Sequence, residues 1–500
     1  MSKKQNISKL WERCWWMCWL VLTLVIGLCA PPVPGVQAKP VQSGRAASSE
    51  WRALGTGTNG QVHAIAISGT DVYVGGMFSQ AGNCVSGCNN IAKWDTLTKT
   101  WSALDGGTDG EVLAIAVRGS DVFVGGVFSQ AGHCTGGCNN IARLNGLSWS
   151  ALDSGTDNIV HAIAVNGADV YVGGEFTQAG SCTAVMGCAF LARWSGSTWS
   201  ALGSGVDSYV KAISVANNIV YVGGMFYSAG GAANTSNLAK WDGSFWHPIN
   251  GDISDTGIDG EVDAIAVSGS DLYAGGTFAQ AGTVPATHLV HWNGSTWSAL
   301  PTGAVDDGYV RALALDGSNL YVGGEFHAQD NNAPDYIVKW DGSVWSPLGS
   351  GMDNDVLAIA VSGSHVYAGG GFNQAGGVSD TNFVADYYSP SSDANLSNLE
   401  LTSGTLTPQF APARMIYSAQ VGASVSQFSV TPTASDAMAE ISVNGEVVAS
   451  GNPSGNIELL PGNNLITILV TAEDGVTEKT YTLTVWRGAL FRIYLPCVMR

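Results

Sequence analysis

A chain of 500 residues leaves room for more than one packed domain, and only 12% of its residues are charged. Its formal charge is −19, with Lys+Arg 21 against Asp+Glu 40, which argues against nucleic acid and anionic membrane surfaces as partners. An acidic surface poor in lysine and arginine suits a soluble exported protein.

At the N-terminus Lys3, Lys4, Lys9 and Arg13 precede an apolar run from Trp15 to Ala30, then Pro-rich residues and VQA at 36–38. This pattern predicts a signal peptide over 1–38, cut after Ala38. The run is short for a membrane span, so an uncleaved anchor is the weaker alternative, and no other segment is apolar enough to cross a bilayer. Cleavage would remove four basic residues and Glu12 and take the formal charge from −19 to −22. Residues 39–48 read as a linker.

From residue 49 the chain repeats. YVGGMF at 73–78 returns as FVGGVF, YVGGEF, YVGGMF, YAGGTF, YVGGEF and YAGGGF, starting at Phe123, Tyr171, Tyr221, Tyr273, Tyr321 and Tyr367. The period of roughly fifty residues is the length of a four-stranded propeller blade. Each copy is preceded by an AIAV-like run and followed by an NIAKW-like and then a WSAL-like run. The last repeat stops at its third element, NFVADY (382–387), while an unattached fourth element, WRAL (51–54), stands before the first. The two halves complete one blade, so residues 49–389 are predicted to form a seven-bladed β-propeller closed by an N-terminal outer strand. The paired glycines suit a bulge or a close approach of backbones, and SGS, NGS and DGS turns lead to the outer tryptophans Trp199, Trp297 and Trp345.

The double glycine ending the second strand and the later tryptophan resemble the kelch type of propeller. The phrase YVGGxF, AG, NIAxW, WSALG is similar to the propeller of cortical cell-polarity marker proteins and of secreted bacterial repeat proteins. The resemblance covers about two thirds of the chain and implies a fold rather than an activity.

Cys84/Cys88, Cys134/Cys138 and Cys182/Cys188 fall at one place in the first three blades, which predicts three local disulfides in an exported protein. Zinc binding is the weaker alternative, because the spacing varies and no histidine pattern accompanies all three pairs. Cys497 is left without a partner and open to intermolecular chemistry.

After a Ser/Pro/Asp-rich link at 390–394 the repeat ends. Residues 395–487 show period-two strands broken by NG, PGNN and EDG turns, which predicts a β-sandwich and an all-β chain. The opening NLSNLELTSG, the PGNN turn and the ending DGVTEKTYTLTVWR closely resemble the cadherin-like β-sandwich domain of bacterial secreted and surface proteins. The resemblance implies a spacer or adhesive module without catalytic residues, and calcium is not implied, since Asp474 sits in a hairpin turn. The tail at 488–500, ending YLPCVMR, is similar to endings of other secreted bacterial proteins and reads as a sorting or anchoring segment through which the protein could be attached to the surface, or else as a last strand.

Positions constant across blades serve the fold, and positions that differ are free for a ligand. The fourth-to-first and second-to-third connections are the long loops and share one face. Its constant Asx residues, Asn59, Asp109, Asp157, Asp207, Asp259, Asp307 and Asp353, read as turn residues bonding backbone N–H groups, with a cation-binding ring as the alternative. Beside them vary His63, Leu113, His161, Lys211, Asp263, Arg311 and Leu357, and two residues earlier Gln61, Glu111, Ile159, Tyr209, Glu261, Tyr309 and Asp355. Glu175 and Glu325 follow two of the glycine pairs. The candidate ligand-binding residues are Tyr209, Tyr309, His63, His161, Lys211, Asp263, Arg311, Glu175 and Glu325, since tyrosines and carboxylates suit a glycan or protein ligand.

No cofactor or metal is implied, and no catalytic residue is assigned. A copper–radical site needs a free cysteine, a sialidase needs an arginine cluster, and Glu175 and Glu325 lie three blades apart. The reading is therefore a secreted or cell-surface binding protein, with a secreted polysaccharide-active hydrolase or lyase and a structural envelope component as alternatives.

Overall fold

The computed structural model describes residues 49–134, 136–250, 257–303, 305, 307–327 and 335–488. The expected signal peptide, the tail beyond Gly488 and Cys497 lie outside the described residues. Seven four-stranded antiparallel sheets are followed by a β-sandwich, and a short 3-10 turn at Ala184–Met186 is the only helical element among the described residues. Among the described residues no helix is long and apolar enough to cross a membrane.

Blade 1 consists of Val62–Ser68, Asp71–Gly76, Ile91–Asp95 and Thr100–Ala103 in sequential order, and blades 2 to 6 repeat this plan. Blade 7 is built from Val356–Ser362, His365–Gly370 and Val384–Tyr388, and its outer strand is Glu50–Ala53 from the other end of the chain. Trp51 stands opposite Tyr387 in that pairing, with ring centroids 5.1 Å apart. The seven-bladed ring closed by an N-terminal outer strand is thus the observed fold.

The apolar side chains are shared between blades. Each cluster joins two neighbours, as where Tyr73 and Ile91 of blade 1 pack with Val112, Val122 and Phe128 of blade 2. Blade 7 meets blade 1 in the same way, Tyr367 and Val384 packing with Leu54, Val62 and Phe78. The outer tryptophans add a polar stitch: the indole N–H of Trp101, Trp149, Trp199 and Trp246 donates to the carbonyls of Leu54, Leu104, Leu152 and Leu202, each on the preceding blade, at 2.8–3.0 Å. Buried indole nitrogens need such a partner, and the WSAL run supplies both the donor and the next acceptor.

The cysteine pairs are bonded as expected. Cys84–Cys88, Cys134–Cys138 and Cys182–Cys188 each close the loop after the GGxF strand, with Cα atoms 5.8–6.4 Å apart.

In the sandwich, a five-stranded sheet runs in the order Ile416–Val421, Glu478–Arg487, Gly462–Thr471, Glu440–Val443, Glu446–Val448. It packs over Leu396–Leu401 and Val430–Ala434 around Leu396, Tyr417, Ile466, Ile468, Tyr481 and Leu483. Asp474 accepts the backbone N–H groups of Val476 and Thr477 at 2.9 and 2.8 Å, the hairpin-turn role expected for it. The neighbouring Glu473 accepts from Ser391 N at 2.9 Å, from the Tyr388 hydroxyl at 3.3 Å and from Ser364 Oγ, so one carboxylate ties the sandwich to blade 7 and to the link.

Candidate functional site: the long-loop mouth of the propeller

One device recurs in every blade. The pairing of the two inner strands skips a residue between Val62 and Ala64, and likewise between the matching residues of blades 2 to 7. The skipped residues are His63, Leu113, His161, Lys211, Asp263, Arg311 and Leu357, the variable set. A β-bulge leaves its extra residue unpaired and re-aims its side chain.

The glycine pair makes the bulge possible. A Cβ on Gly76 would run into the Gln61 carbonyl, and one on Gly75 would meet Val112 of the next blade. The bulge and the close approach of backbones expected of the pair thus both fall on the second glycine, while the first makes room for a side chain of the next blade.

The bulged residues and their neighbours form a charged network that crosses blades. His161 Nε2 lies 2.8 Å from Glu175 Oε1 and 3.1 Å from Lys211 Nζ. One ring nitrogen can donate to the carboxylate or accept from the ammonium, but not both at once. Burial, reinforced by Lys211, holds the His161 pKa below its ordinary value and favours the neutral ring. Arg311 bridges Asp263 and Glu325, each at 2.8 Å, and its guanidinium lies 5.4 Å from the Tyr309 ring centroid. His63 Nε2 is 3.0 Å from Glu111 Oε1 but poorly aligned for a hydrogen bond. His63 holds the Glu111 carboxyl below its usual range, and Glu261 of blade 5 acts on His161 of blade 3. The candidates thus converge on one mouth, whereas Glu175 and Glu325 stay in separate ion pairs.

Asp263 is pushed up to about 6 by burial and by Glu261, against the opposing effect of Arg311 and Lys211. The native state therefore binds a proton that the unfolded chain releases between about pH 4 and 6, so stability from this group rises as pH falls through that window. Denaturant titrations should show wild type gaining stability relative to Asp263→Asn as pH falls from about 7 to 5. Identical slopes would mean that Asp263 ionises as an ordinary carboxylate.

The Asx ring has the structural role. Asn59 Oδ1 accepts Ser79 N and Gln80 N at 2.9 Å each, and Asp109, Asp157, Asp207, Asp259 and Asp353 accept the matching pairs. Asp307 accepts His327 N at 2.9 Å. The partners lie on the loop after the second strand, about a strand pair downstream rather than in the same turn.

Tyr209 and Tyr309 are 40% and 43% exposed on this face. Tyr209 meets Phe190 edge-on at 5.6 Å, and Tyr309 meets His288 at 5.3 Å. Phe190 and His288 escaped the sequence reading, although their column carries a signal. It reads Asn90, Asn140, Phe190, Asn237, His288, Tyr336 and Phe383, and every member has positive φ, between 56° and 68°. Asparagine tolerates that conformation and here bridges blades, Asn140 Oδ1 accepting Phe128 N and its Nδ2 donating to Thr156 O. Met225, the strand partner of Tyr209, and Tyr227 are exposed on the same blade, and Met77 and Val127 are exposed at the matching places of blades 1 and 2.

Comparison with known proteins places these domains in context. A protein of Evansella cellulosilytica named as a membrane protein is 32% identical over 147 residues, which is 26% of this chain and 22% of that protein, so the match spans less than a quarter of the relative. Among solved structures, the WD40 propeller domain of Doa1 is 11% identical with a TM-score of 0.44, covering 68% of this chain and 97% of that one. PorZ, a surface component of the type-IX secretion system of Porphyromonas gingivalis, is 11% identical with a TM-score of 0.39, covering 86% and 60%. Scores this low carry no argument about function. Residues 396–488 match the family model of the Cadherin-like beta sandwich domain, in agreement with the resemblance of that segment.

Proposed function

We propose that this chain is a secreted or cell-surface interaction protein whose propeller captures a glycan or protein ligand on its long-loop face, with the sandwich as spacer or adhesive module. The observation that carries the reading is the sevenfold bulge: the fold spends its constant residues on holding the ring and leaves one variable residue in each blade, of five types in all, at one mouth. Evolution of such a mouth changes ligands without disturbing the frame. Three disulfides and a cadherin-like domain fit a location outside the cytoplasm. Export by a signal peptide over 1–38, kelch-like repeats over 49–389, a sandwich over 395–487 and attachment through the tail complete the proposal, in which the chain performs no catalysis.

The test is a screen of the full chain against glycan and protein panels. Tyr209→Ala with Tyr309→Ala should weaken any ligand found by roughly 1–3 kcal/mol, the usual loss for an aromatic hot spot. Ser197→Ala and Ser295→Ala on the short-turn face should leave it unchanged. A silent tyrosine pair, with binding lost on changes in the sandwich, moves the function to the second domain.

A further inference from the structure

Three consecutive blades place Tyr209, Glu261 and Tyr309 at the same position, just before the inner-strand bulge. Resting on the proposed long-loop binding, we infer that this arc, backed by Phe190 and His288, is a subsite for a polypeptide segment presenting a lysine or arginine between apolar residues.

Charge points to a cation. The mouth gathers Glu111, Glu175, Glu261, Asp263, Glu325 and Asp355 against Lys211 and Arg311, and both cations are already held by carboxylates at 2.8–3.7 Å. Glu261 makes no ion pair among the described residues, so the vacant capacity is for a donor, and an anionic ligand is repelled. The flanks point to a polypeptide. The Arg311 guanidinium lies over one face of the Tyr309 ring, which leaves less aromatic surface there for stacking on a sugar. What the arc does offer is adaptable apolar surface, with Met225, the strand partner of Tyr209, 56% exposed and Tyr227 84% exposed, which suits aliphatic side chains better than hydroxyls.

The aromatic neighbours of the tyrosines belong to the positive-φ column. At φ 65° and 63°, Phe190 and His288 occupy a conformation that bulky residues adopt at a cost and that asparagine fills in blades 1, 2 and 4. Each of the two touches an exposed tyrosine of the following blade. Tyr336 and Phe383 replace the asparagine in blades 6 and 7 as well, and two of the four replacements stand beside the tyrosines that bracket Glu261.

The experiment selects binders to the full chain from a displayed random peptide library, with neutral and acidic glycan arrays in parallel. Enriched peptides are expected to carry Lys or Arg with apolar neighbours. Glu261→Gln should weaken a selected synthetic peptide about tenfold and flatten its salt dependence. Phe190→Asn and His288→Asn should each weaken it about tenfold while the melting temperature holds or rises, because asparagine suits the backbone there. Those two variants separate binding from folding. Peptides without a basic residue, neutral glycans that bind at the same tyrosines, or binding indifferent to all three substitutions overturn the inference and leave long-loop binding standing. Binders that ignore every rim change and respond only to the sandwich, or no enrichment on any panel, overturn both.

Discussion

Trp51→Ala is expected to cost about 3–5 kcal/mol, the range for deleting a buried tryptophan, although the residue sits on a four-residue strand near the end of the propeller. Trp51 is 4% exposed, packs against Tyr387 and donates its indole N–H to Leu348 O at 2.9 Å, so one side chain holds blade 7 to itself and to blade 6. Leu54, three residues on, offers its carbonyl to Trp101 of blade 1 at 2.8 Å. Deleting residues 49–55 should lower the melting temperature further still. It strips the partner from Val384–Tyr388, leaving an open edge that promotes association between chains. Thermal melts with light scattering read both effects, and an unchanged melting temperature would show that the ring closes without its clasp.

The second large effect is expected at the glycine pair, with an order that the geometry dictates. In blade 3 a Cβ on Gly174 would strike the Ile159 carbonyl and crowd backbone atoms about 3.0 Å away, which cannot yield without breaking the bulge. A Cβ on Gly173 would meet side-chain carbons of Val210 and Ile213, which can shift. Gly173→Ala should therefore cost about 1–3 kcal/mol and Gly174→Ala more. Gly167→Ala, at φ 58° with nothing near its Cβ, should cost only about 1 kcal/mol for the backbone conformation. Gly174→Ala should also displace His161 from Glu175, visible in the histidine ring signals by NMR. Equal costs for all three would contradict the division of labour between the two glycines.

Much of this fold was legible because a repeat is its own alignment. The count of GGxF motifs numbers the blades, the orphan WRAL announces the closure, and cysteines at one place in three successive blades announce three loops of one kind. The mouth was legible only in outline. That His63, His161, Lys211, Asp263 and Arg311 vary is visible in the string, but that they sit on a bulge depends on which glycine meets which backbone. Pairings such as Arg311 with Asp263 span 48 residues and join different blades, so no local pattern encodes them. The positive φ shared by Asn90, Phe190 and His288 was hidden for another reason: asparagine alone hints at it, and the aromatic exceptions disguise the column as unrelated residues.

The central claim is that the long-loop face, and not the short-turn face or the sandwich, takes the ligand. Oxidative footprinting of the full chain, with and without a ligand from the screens, tests it in one measurement. Oxidisable probes are exposed on all three surfaces: Met77, Met225, Tyr209 and Tyr309 at the mouth, Phe245 on a short turn, and Trp486 on the sandwich. Ligand is expected to protect the mouth residues and to leave Phe245 and Trp486 as reactive as before. Protection of Trp486 or Phe245 with the mouth residues unchanged would contradict the claim.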